Sequence, residues 1–517
     1  MEAFPIVSTF NGPVRGRTED GIAVFRGVRY GAPPSGTERF KLSRRPHPWT
    51  EPMDAISFGA SAMQMPMGLA DVAEKSPTTD ALAPILPSPL DKETESEDCL
   101  FLNVWTPGIG DVKKRPVMVW LHGGGFAAGS ASWPVYDGAA FARDGDLVIV
   151  SLNHRLNVFG FLYLGEIAGP EFVQSGNLGM LDIMLALWWV RDNIANFGGD
   201  PANVTVFGES GGGLKVSTLL GMRSARGIIH KAIIQSGPGT RCLSKEAATA
   251  VAKAILSELN LSLPADLVRL RALPAHELVA AARAVQQREQ AAGRAFWLAP
   301  VMDSLTMAGH PFDPVAAPSA AKVPLLIGHT KDEGTFFIAG DPKFGTFTED
   351  DLQIRASSGN ATRSGAVLDC LRRAKPHGSA TELIADLFTV NWAFSGSVTI
   401  AERKALQEAC VYAYMLEWET PVLGGSLRAT HALDVPLVFG TVEAARPFVG
   451  TGAEPQRVSD QMHAAWIAFA RTGNPNAAGL PEWPPYDPSR RATMMFNVES
   501  RVVNDPWREV RTALSQP

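Results

Sequence analysis

Residues 204–213 constrain this chain more than any other stretch, because a short apolar run there passes directly into a serine flanked by glycines. Residues 204–207 predict a buried strand, and Gly208, Ser210 and Gly212 fit the pattern G-x-S-x-G. In that pattern the serine lies at a sharp strand-to-helix turn, the glycines leave room for a strained backbone, and the hydroxyl is exposed. Ser210 is therefore the candidate nucleophile, although an ordinary glycine-rich turn can have the same five letters.

Composition limits the classes of protein that can carry this motif. The chain has 517 residues, of which 45% are hydrophobic and 19% are charged, as in a large soluble globular protein. A net charge of -6 without a Lys/Arg-rich run argues against a nucleic-acid partner. The N-terminus lacks a signal-peptide pattern and no uncharged apolar run reaches membrane-spanning length, so we expect a cytoplasmic protein.

The four cysteines, Cys99, Cys242, Cys370 and Cys410, are widely scattered along the chain. Their spacing fits no metal site, and reduced thiols suit a cytoplasmic protein best. The sequence therefore predicts neither a disulfide nor a metal centre.

Apolar runs and helical periodicity alternate along most of the chain. A hairpin-rich start is followed by strand-like runs at residues 99–105, 116–121, 147–152, 204–207, 231–237 and 323–329. Continuous apolar runs of this kind predict a mainly parallel sheet that is covered by helices on both faces. We expect one α/β domain over residues 1–517, with helical insertions near 244–295 and 348–420 that form lids or caps. Residues 61–97 predict a long irregular surface loop.

A second chemical feature is the sequence HGGGF at residues 122–126, directly after a predicted strand. Consecutive glycines allow backbone N–H groups to point into a cleft without side chains in the way, as an oxyanion hole requires. Alone, such a run fits a simple loop or an anion nest. Its position before G-x-S-x-G favours catalysis, with Gly124, Gly125 and Gly211 as the candidate donors.

A serine nucleophile needs a base and an acid, and with this motif both follow the serine in the chain. His431 lies late in the chain in the loop-like run 429–436 and is the best candidate, whereas His463 lies in an amphipathic run and reads as a helix residue. Asp332 and Glu333 both follow a predicted strand. The chemistry of the residues alone does not choose between these two acids.

Together these motifs resemble the type-B carboxylesterase and cholinesterase family, including its bacterial carboxylesterases. The resemblance covers nearly the whole chain in order and rests on residues 25–30, 33–34, 97–100, 122–126, 207–212 and 332–334, and on His431. It implies the α/β-hydrolase fold and cofactor-free hydrolysis of carboxylic esters through an acyl-enzyme.

Carried over by position, the resemblance implies Ser210 as nucleophile, Glu333 rather than Asp332 as acid, His431 as base, and Gly124, Gly125 and Gly211 as oxyanion donors. It also implies two structural ion pairs, Arg39 with Glu97 and Arg155 with Asp182.

Three departures from the family pattern affect these expectations. Met65 stands where secreted members have the cysteine that pairs with Cys99, and residues 65–98 lack the tryptophan that binds choline in cholinesterases. Choline esters are therefore not the expected substrates. Gly211 replaces the usual alanine, and Lys215 occupies a position that is usually small or apolar. Extension of the Lys215 side chain to solvent is one interpretation, and the sequence gives no firm account of this residue.

The expected substrates are small to medium apolar or aryl esters, with no nucleic-acid or membrane partner and a monomeric or dimeric state. Phe126, Leu243, Phe336 and Phe337 are candidate pocket residues, and Glu209 is either a modulator of the base or a partly exposed turn acid. Two alternatives use the same motifs: an amide or carbamate hydrolase, and a non-catalytic binding protein of the same fold. The second would be expected to lack a triad member, and none is missing here.

Overall fold

A large twisted sheet forms the frame of the molecule. The computed structural model describes residues 4–65, 76–86, 94–357 and 361–515, with the side chains of 361–363 left aside. In these ranges the strands are β1 (Ile6–Ser8), β2 (Pro13–Arg15), β3 (Arg17–Glu19), β4 (Ile22–Arg29), β5 (Met53–Asp54), β6 (Phe101–Thr106), β7 (Arg115–Leu121), β8 (Val148–Leu152), β9 (Gly199–Glu209), β10 (Lys231–Gln235), β11 (Leu325–Thr330), β12 (Val411–Leu416), β13 (Ala492–Phe496) and β14 (Arg501–Asn504).

Eleven of these strands pair in the order β14-β13-β12-β11-β10-β9-β7-β8-β6-β4-β3, and β1-β2-β5 form a separate small sheet. From β8 through β7 to β13 all pairings are parallel, whereas the outer strands pair antiparallel. The carboxyl ends of the parallel strands therefore meet at one edge, where α/β proteins place their sites. The predicted parallel sheet and the hairpin-rich start are both confirmed.

Helices cover both faces of the large sheet. They are α1 (Pro77–Leu82), α2 (Ala139–Gly145), α3 (Asn157–Phe161), α4 (Leu178–Asn193), α5 (Gly211–Gly221), α6 (Lys245–Glu258), α7 (Leu267–Ala272), α8 (Ala275–Ala291), α9 (Gly334–Ile338), α10 (Glu349–Ser357), α11 (Ala361–Ala374), α12 (Ala380–Thr389), α13 (Ser395–Ala405), α14 (Asp434–Phe439), α15 (Arg446–Val449), α16 (Ala453–Thr472) and α17 (Arg508–Leu514), with a π-helical turn at Val390–Phe394.

Strand β7 shows why both faces need covering. All seven of its residues are buried. Because side chains alternate along a strand, Val117 and Val119 enter the core cluster that contains residues of α4 and α5. Met118 and Trp120 point the other way, into the cluster formed with α14 and α16. The continuous apolar pattern thus results from burial on two sides.

The structure corrects the predicted boundaries of the helical segments. Residues 244–295 are largely helical as expected, since they contain α6, α7 and α8. The predicted helical block 348–420, however, includes β12, which is a central strand between β11 and β13. A buried run of six residues has no polar face, so its periodicity does not distinguish a strand from a buried helix segment.

The predicted loop at residues 61–97 also contains regular structure. Its described part includes α1, which begins at a capping box formed by Ser76 and Thr79, while residues 66–75 and 87–93 lie outside the described ranges. Both implied ion pairs are present, and Arg39 Nε donates to Glu97 at 2.8 Å. The four cysteines carry free thiols.

One continuous helical stretch, residues 380–405, is long and apolar enough by composition to cross a membrane. Its most apolar window is 61% buried within the protein. Leu387 and Val390 of this stretch belong to a core cluster that includes residues of α11 and α17. Packing inside the protein therefore accounts for its apolar character.

Candidate active site

Ser210 lies between the end of β9 and the start of α5 in a backbone conformation that L-residues rarely adopt, with φ 55° and ψ −120°. Two hydrogen bonds hold this turn: the Ser210 N–H donates to Gln235 O at 2.9 Å, and the Leu214 N–H donates to Ser210 O at 3.0 Å. A strained conformation persists only where the surrounding structure imposes it, and such positions cluster at functional sites.

The glycines around Ser210 are required by close backbone contacts. A Cβ at Gly208 would lie 2.6 Å from the carbonyl carbon of Gly212, and one at Gly212 would lie 1.9 Å from Leu121 O. At Gly211, a Cβ would lie 2.3 Å from both the nitrogen and the oxygen of Gly125. The start of α5 is thus packed directly against the loop at 122–126, and this packing leaves no room for a side chain at Gly211.

That loop follows β7 at the carboxyl edge of the sheet. Gly124 and Gly125 have φ values of 84° and 62°, which favour glycine. A Cβ at Gly124 would lie 2.4 Å from Ala128 O, so the backbone packs tightly on that side. Because Gly125 and Gly211 are in contact, the structure brings together the candidate oxyanion donors from the loop after β7 and from the start of α5.

Glu333 follows β11, and its carboxylate lies against the imidazole of His431. Its Oε2 is bonded to His431 Nδ1, while its Oε1 accepts from the Thr330 N–H at 2.8 Å. Burial raises the pKa of Glu333, but the adjacent imidazole outweighs this and the pKa lies below its ordinary value. An ionised carboxylate in this position fixes which nitrogen of the ring carries the proton.

Asp332, the alternative acid, has different partners. Its carboxylate lies 3.1 Å from Arg428 Nε and accepts from the Ala429 N–H at 3.4 Å. Asp332 therefore holds the loop that leads to His431. The structure places Glu333, not Asp332, in contact with the imidazole.

The other ring nitrogen of His431 faces Glu209. Its Nε2 lies 3.1 Å from Glu209 Oε1, and Glu209 is only 3% exposed. Of the two alternatives for Glu209, the partly exposed turn acid is therefore wrong, and the contact with His431 agrees with the other. Burial raises the pKa of Glu209 to about 8. For His431, burial lowers the pKa but Glu209 and Glu333 outweigh it and raise the pKa to about 9.

Glu209 and His431 titrate as one coupled pair, because a proton on Glu209 removes the charge that raises the pKa of His431. The arrangement with the proton on Glu209 leaves His431 neutral and able to act as a base. Within the described residues no Ser210–His431 hydrogen bond is formed. Catalytic hydrogen bonds are often long or misaligned without substrate, and tighten in the complex.

A third buried carboxylate lies close to this pair. Asp434 is fully buried at the start of α14, and its Oδ2 accepts from Tyr414 Oη at 2.7 Å and Gln235 Nε2 at 3.0 Å. Burial raises its pKa to about 6. Asp434 adds to the negative charge around His431, although its role went unrecognised in the sequence. Its only sequence signal is its position three residues after the candidate base.

Aromatic rings line one side of His431. Ring centroids lie 5.4 Å away for Phe336, 5.0 Å for Phe337 and 6.2 Å for Trp392. Phe388 stacks on Phe337 at 4.4 Å. Trp392 comes from the π-helical turn after α12, and no sequence pattern indicated that it would reach the candidate base.

The remaining candidates lie farther from the base or have other partners. Phe126 packs against Phe161 at 4.9 Å. Leu243 pairs with Val301 and packs near Tyr163, and among its described contacts none is with the candidate triad. His463 lies in α16, where its Nδ1 bonds to Val438 O at 2.7 Å, which fits a buried helix residue.

Lys215 differs most from expectation. The predicted extension to solvent is wrong, because Lys215 is fully buried and its Nζ donates to His122 O at 2.9 Å. Lys215 in α5 thus contacts the loop at 122–126, which is distant in the sequence. The helical periodicity of α5 does not indicate such a contact.

A parallel sheet flanked by helices, with a serine in a strained strand-to-helix turn and an acid and a histidine on later loops, defines a hydrolase of the α/β-hydrolase fold. In the described ranges no group of three His, Cys, Asp or Glu side chains is arranged to hold a metal ion. A family model described as the carboxylesterase family matches residues 3–514. The chain belongs to this family and is a carboxylic ester hydrolase.

Individual relatives agree with this assignment over nearly the full length. The chain is 35% identical over 511 residues to the para-nitrobenzyl esterase of Bacillus subtilis (strain 168), covering 98% of each. It is 34% identical over 522 residues to the phenmedipham hydrolase of Pseudarthrobacter oxydans, covering 99% of this chain and 98% of the relative. A carboxylesterase structure from Geobacillus stearothermophilus matches with a TM-score of 0.84 and 38% identity, covering 99% of this chain and 100% of the other.

Proposed function

We propose that this ester hydrolase works through an acyl-enzyme on Ser210, with His431 as base, Glu333 as the acid that orients it, and Gly124, Gly125 and Gly211 as oxyanion donors. The observation that carries the proposal is the placement of His431. Its Nδ1 is bonded to a buried carboxylate, while its Nε2 faces the residue directly before Ser210 in the chain.

Acylation begins when the His431 ring turns Nε2 from Glu209 to the Ser210 hydroxyl. Nε2 takes the hydroxyl proton as Oγ forms a bond to the ester carbonyl carbon, and the carbonyl oxygen becomes an oxyanion. Backbone N–H groups of the loop and of Gly211 stabilise that charge. The imidazolium then gives its proton to the departing alcohol, and the C–O bond breaks.

Deacylation repeats these steps with water as nucleophile. His431 takes a proton from water, the hydroxide attacks the acyl carbon, and Ser210 leaves with a proton from His431. Glu333 remains ionised throughout and stabilises the imidazolium. Glu209 raises the pKa of His431 from the Nε2 side, so the fraction of neutral imidazole grows as the pH rises above neutral.

We propose small to medium apolar or aryl esters as substrates. The rings of Phe336, Phe337 and Trp392 beside His431 support this, since they offer apolar contact at the position where the leaving alcohol receives its proton. The para-nitrobenzyl esterase relative is named for an ester of an aromatic benzylic alcohol, which agrees with contact between the alcohol side and aromatic rings.

The test combines active-site labelling with matched substrates. A fluorophosphonate probe should modify Ser210, as located by peptide mass spectrometry, and should not modify Ser210→Ala. A p-nitrophenyl ester should be hydrolysed with a higher kcat/KM than the matching anilide and carbamate. Labelling at another residue, or a preference for the anilide, would overturn the proposal.

A further inference from the structure

Lys215 carries a buried charge that the proposed chemistry does not use. It lies on α5, one turn after Gly211, and is fully buried. Its Nζ donates to His122 O at 2.9 Å. No carboxylate of the described ranges forms an ion pair with it. An ammonium that is taken out of water without a counter-ion is costly, and an apolar side chain of similar length would avoid that cost.

The acceptor of this hydrogen bond begins the oxyanion loop. The imidazole of His122 continues the same network, because its Nδ1 lies 2.8 Å from Gly123 O. A carbonyl acceptor requires that Nδ1 carry the proton. Since C=O and N–H of a trans peptide point in opposite directions, holding Gly123 O also fixes the direction of the Gly124 N–H.

The space around this network is filled. A Cβ at Gly129 would lie 2.3 Å from His122 Nδ1 and 2.5 Å from Gly123 O. The His122 ring stacks on His154 at 5.2 Å between centroids, and both rings are buried. The loop therefore has little free space on the side of Gly129 and His154.

The titratable groups that face Lys215 are these two histidines. Burial lowers the pKa values of His122 and His154 well below the ordinary value, and the Lys215 charge lowers them further. Burial also lowers the pKa of Lys215 to about 7. Both imidazoles thus stay neutral, and His122 keeps the tautomer that donates to Gly123.

We propose that Lys215 is a positioning residue for the oxyanion hole: its amine ties the His122 carbonyl to α5 and so sets the Gly124 and Gly125 donors against Gly211. The tolerance is small, because the backbones of Gly125 and Gly211 are already in contact. This inference rests on the proposed function and adds to it a residue that does not touch the substrate.

The test is Lys215→Met, which keeps an unbranched side chain of similar length and removes the Nζ donor. The matched control is Lys404→Met: Lys404 is also fully buried, and its Nζ bonds to the backbone carbonyl of Ala321, but it lies on α13. We expect Lys215→Met to lower kcat for a p-nitrophenyl ester by about 10- to 100-fold, less than or comparable to the loss of a whole oxyanion donor. The control should keep kcat.

KM should change little, because the oxyanion forms only in the transition state. The affinity for an aryl trifluoromethyl ketone should fall by the same factor as kcat. Ser210 Oγ forms a bond to the ketone carbon of this inhibitor, and the hydroxyl proton of Ser210 moves to His431. The ketone oxygen then becomes an oxyanion in the oxyanion hole. A merely structural role would not link these two changes.

If folded Lys215→Met keeps kcat within about twofold of the wild type, or if Lys404→Met loses as much, the proposal is overturned. Lys215→Leu provides a second variant with the same readouts should the methionine variant fold poorly. Active Ser210→Ala would instead refute the proposed function itself, so the two failures are distinguishable.

Discussion

Two buried polar clusters flank Ser210, the proposed nucleophile, and their charges have opposite signs. The acidic cluster comprises Glu209, Glu333 and Asp434 around one imidazole, whose pKa is raised to about 9. The basic cluster comprises Lys215, His122 and His154, where burial and one ammonium keep both imidazoles neutral. Charge next to the base tunes its proton affinity, whereas charge behind the oxyanion loop acts on backbone geometry. The environment, not the residue type, decides what a buried histidine does.

The largest effect is expected when the Ser210 hydroxyl, which lies between the two clusters, is removed. Ser210→Ala should lower kcat on the order of 10⁶-fold, since the acyl-enzyme no longer forms. His431→Ala should lose activity comparably. His463→Ala should retain it, because His463 lies in α16 and its ring bonds to Val438 O of α14. Steady-state hydrolysis of a p-nitrophenyl ester measures all three. Substantial turnover by Ser210→Ala would show that neither cluster serves this serine.

A smaller loss of kcat is expected when the acidic cluster keeps its shape but the charge of Glu333 is removed. Glu333→Gln should lower kcat by roughly 10⁴-fold, because the amide favours the wrong imidazole tautomer. Asp332→Asn is the matched neighbour, whose side chain contacts Arg428 and not the imidazole. Its kcat should stay within about tenfold of wild type. If Asp332→Asn proved the more damaging, the acid would be reassigned.

The pH dependence of activity distinguishes the role of Glu209 from that of Glu333. His431 must be neutral to act as base, so its raised pKa places the acid limb of kcat/KM above the ordinary value of about 6.5. Glu209→Gln removes one of the carboxylates that raise this pKa, so the limb should move to lower pH by roughly one unit or more. An unchanged limb would show that Glu209 does not control the titration of the base.

The basic cluster predicts a stability effect with its own pH window. The pKa of Lys215 is about 7 in the folded protein, below its ordinary value, so the native state binds fewer protons than the unfolded state above that pH. The free-energy cost of burying the charged Lys215 amine is therefore complete below pH 7, and it decreases as the pH rises toward about 10.5. Lys215→Met should therefore raise Tm at pH 6 and by less at pH 9. Calorimetry that shows equal shifts at both would contradict a titrating amine.

The smallest effect concerns the thiols, which lie outside both clusters. Because Cys99, Cys242, Cys370 and Cys410 are free, dithiothreitol should leave Tm unchanged. A differential scanning measurement with and without reductant checks this. A marked decrease in Tm would reveal a disulfide.

Local motifs pointed to candidate residues where a short pattern is visible within one stretch of the sequence. The turn at Ser210 and the loop at 122–126 were recognised because each has several glycines directly after a predicted strand, although the contacts that require those glycines join the two segments. Partners from distant segments were harder. Asp332 and Glu333 are adjacent, and only the position of Arg428 explains why one of them faces away from His431.

Long-range packing also explains the errors. Extension of Lys215 to solvent was the interpretation from the sequence, whereas its hydrogen-bond partner is His122 O in the loop after β7. The sequence of α5 carries no signal for this distant partner. Strand β12 was included in a helical block because six buried apolar residues show no period. Trp392 reaches the base through a π-helical turn whose sequence carries no special signal.

The order of strands in the large sheet also determines when activity can appear as the chain is made. The oxyanion loop and Ser210 follow β7 and β9, whereas Glu333 and His431 follow β11 and β12, which belong to a later stretch of the chain. Proteins dominated by such distant pairings fold slowly, and large chains fold through intermediates. A nascent chain released after α5 therefore contains the proposed nucleophile but not the proposed base, so on this proposal we expect hydrolysis only from molecules whose second half has been synthesised and has joined the sheet.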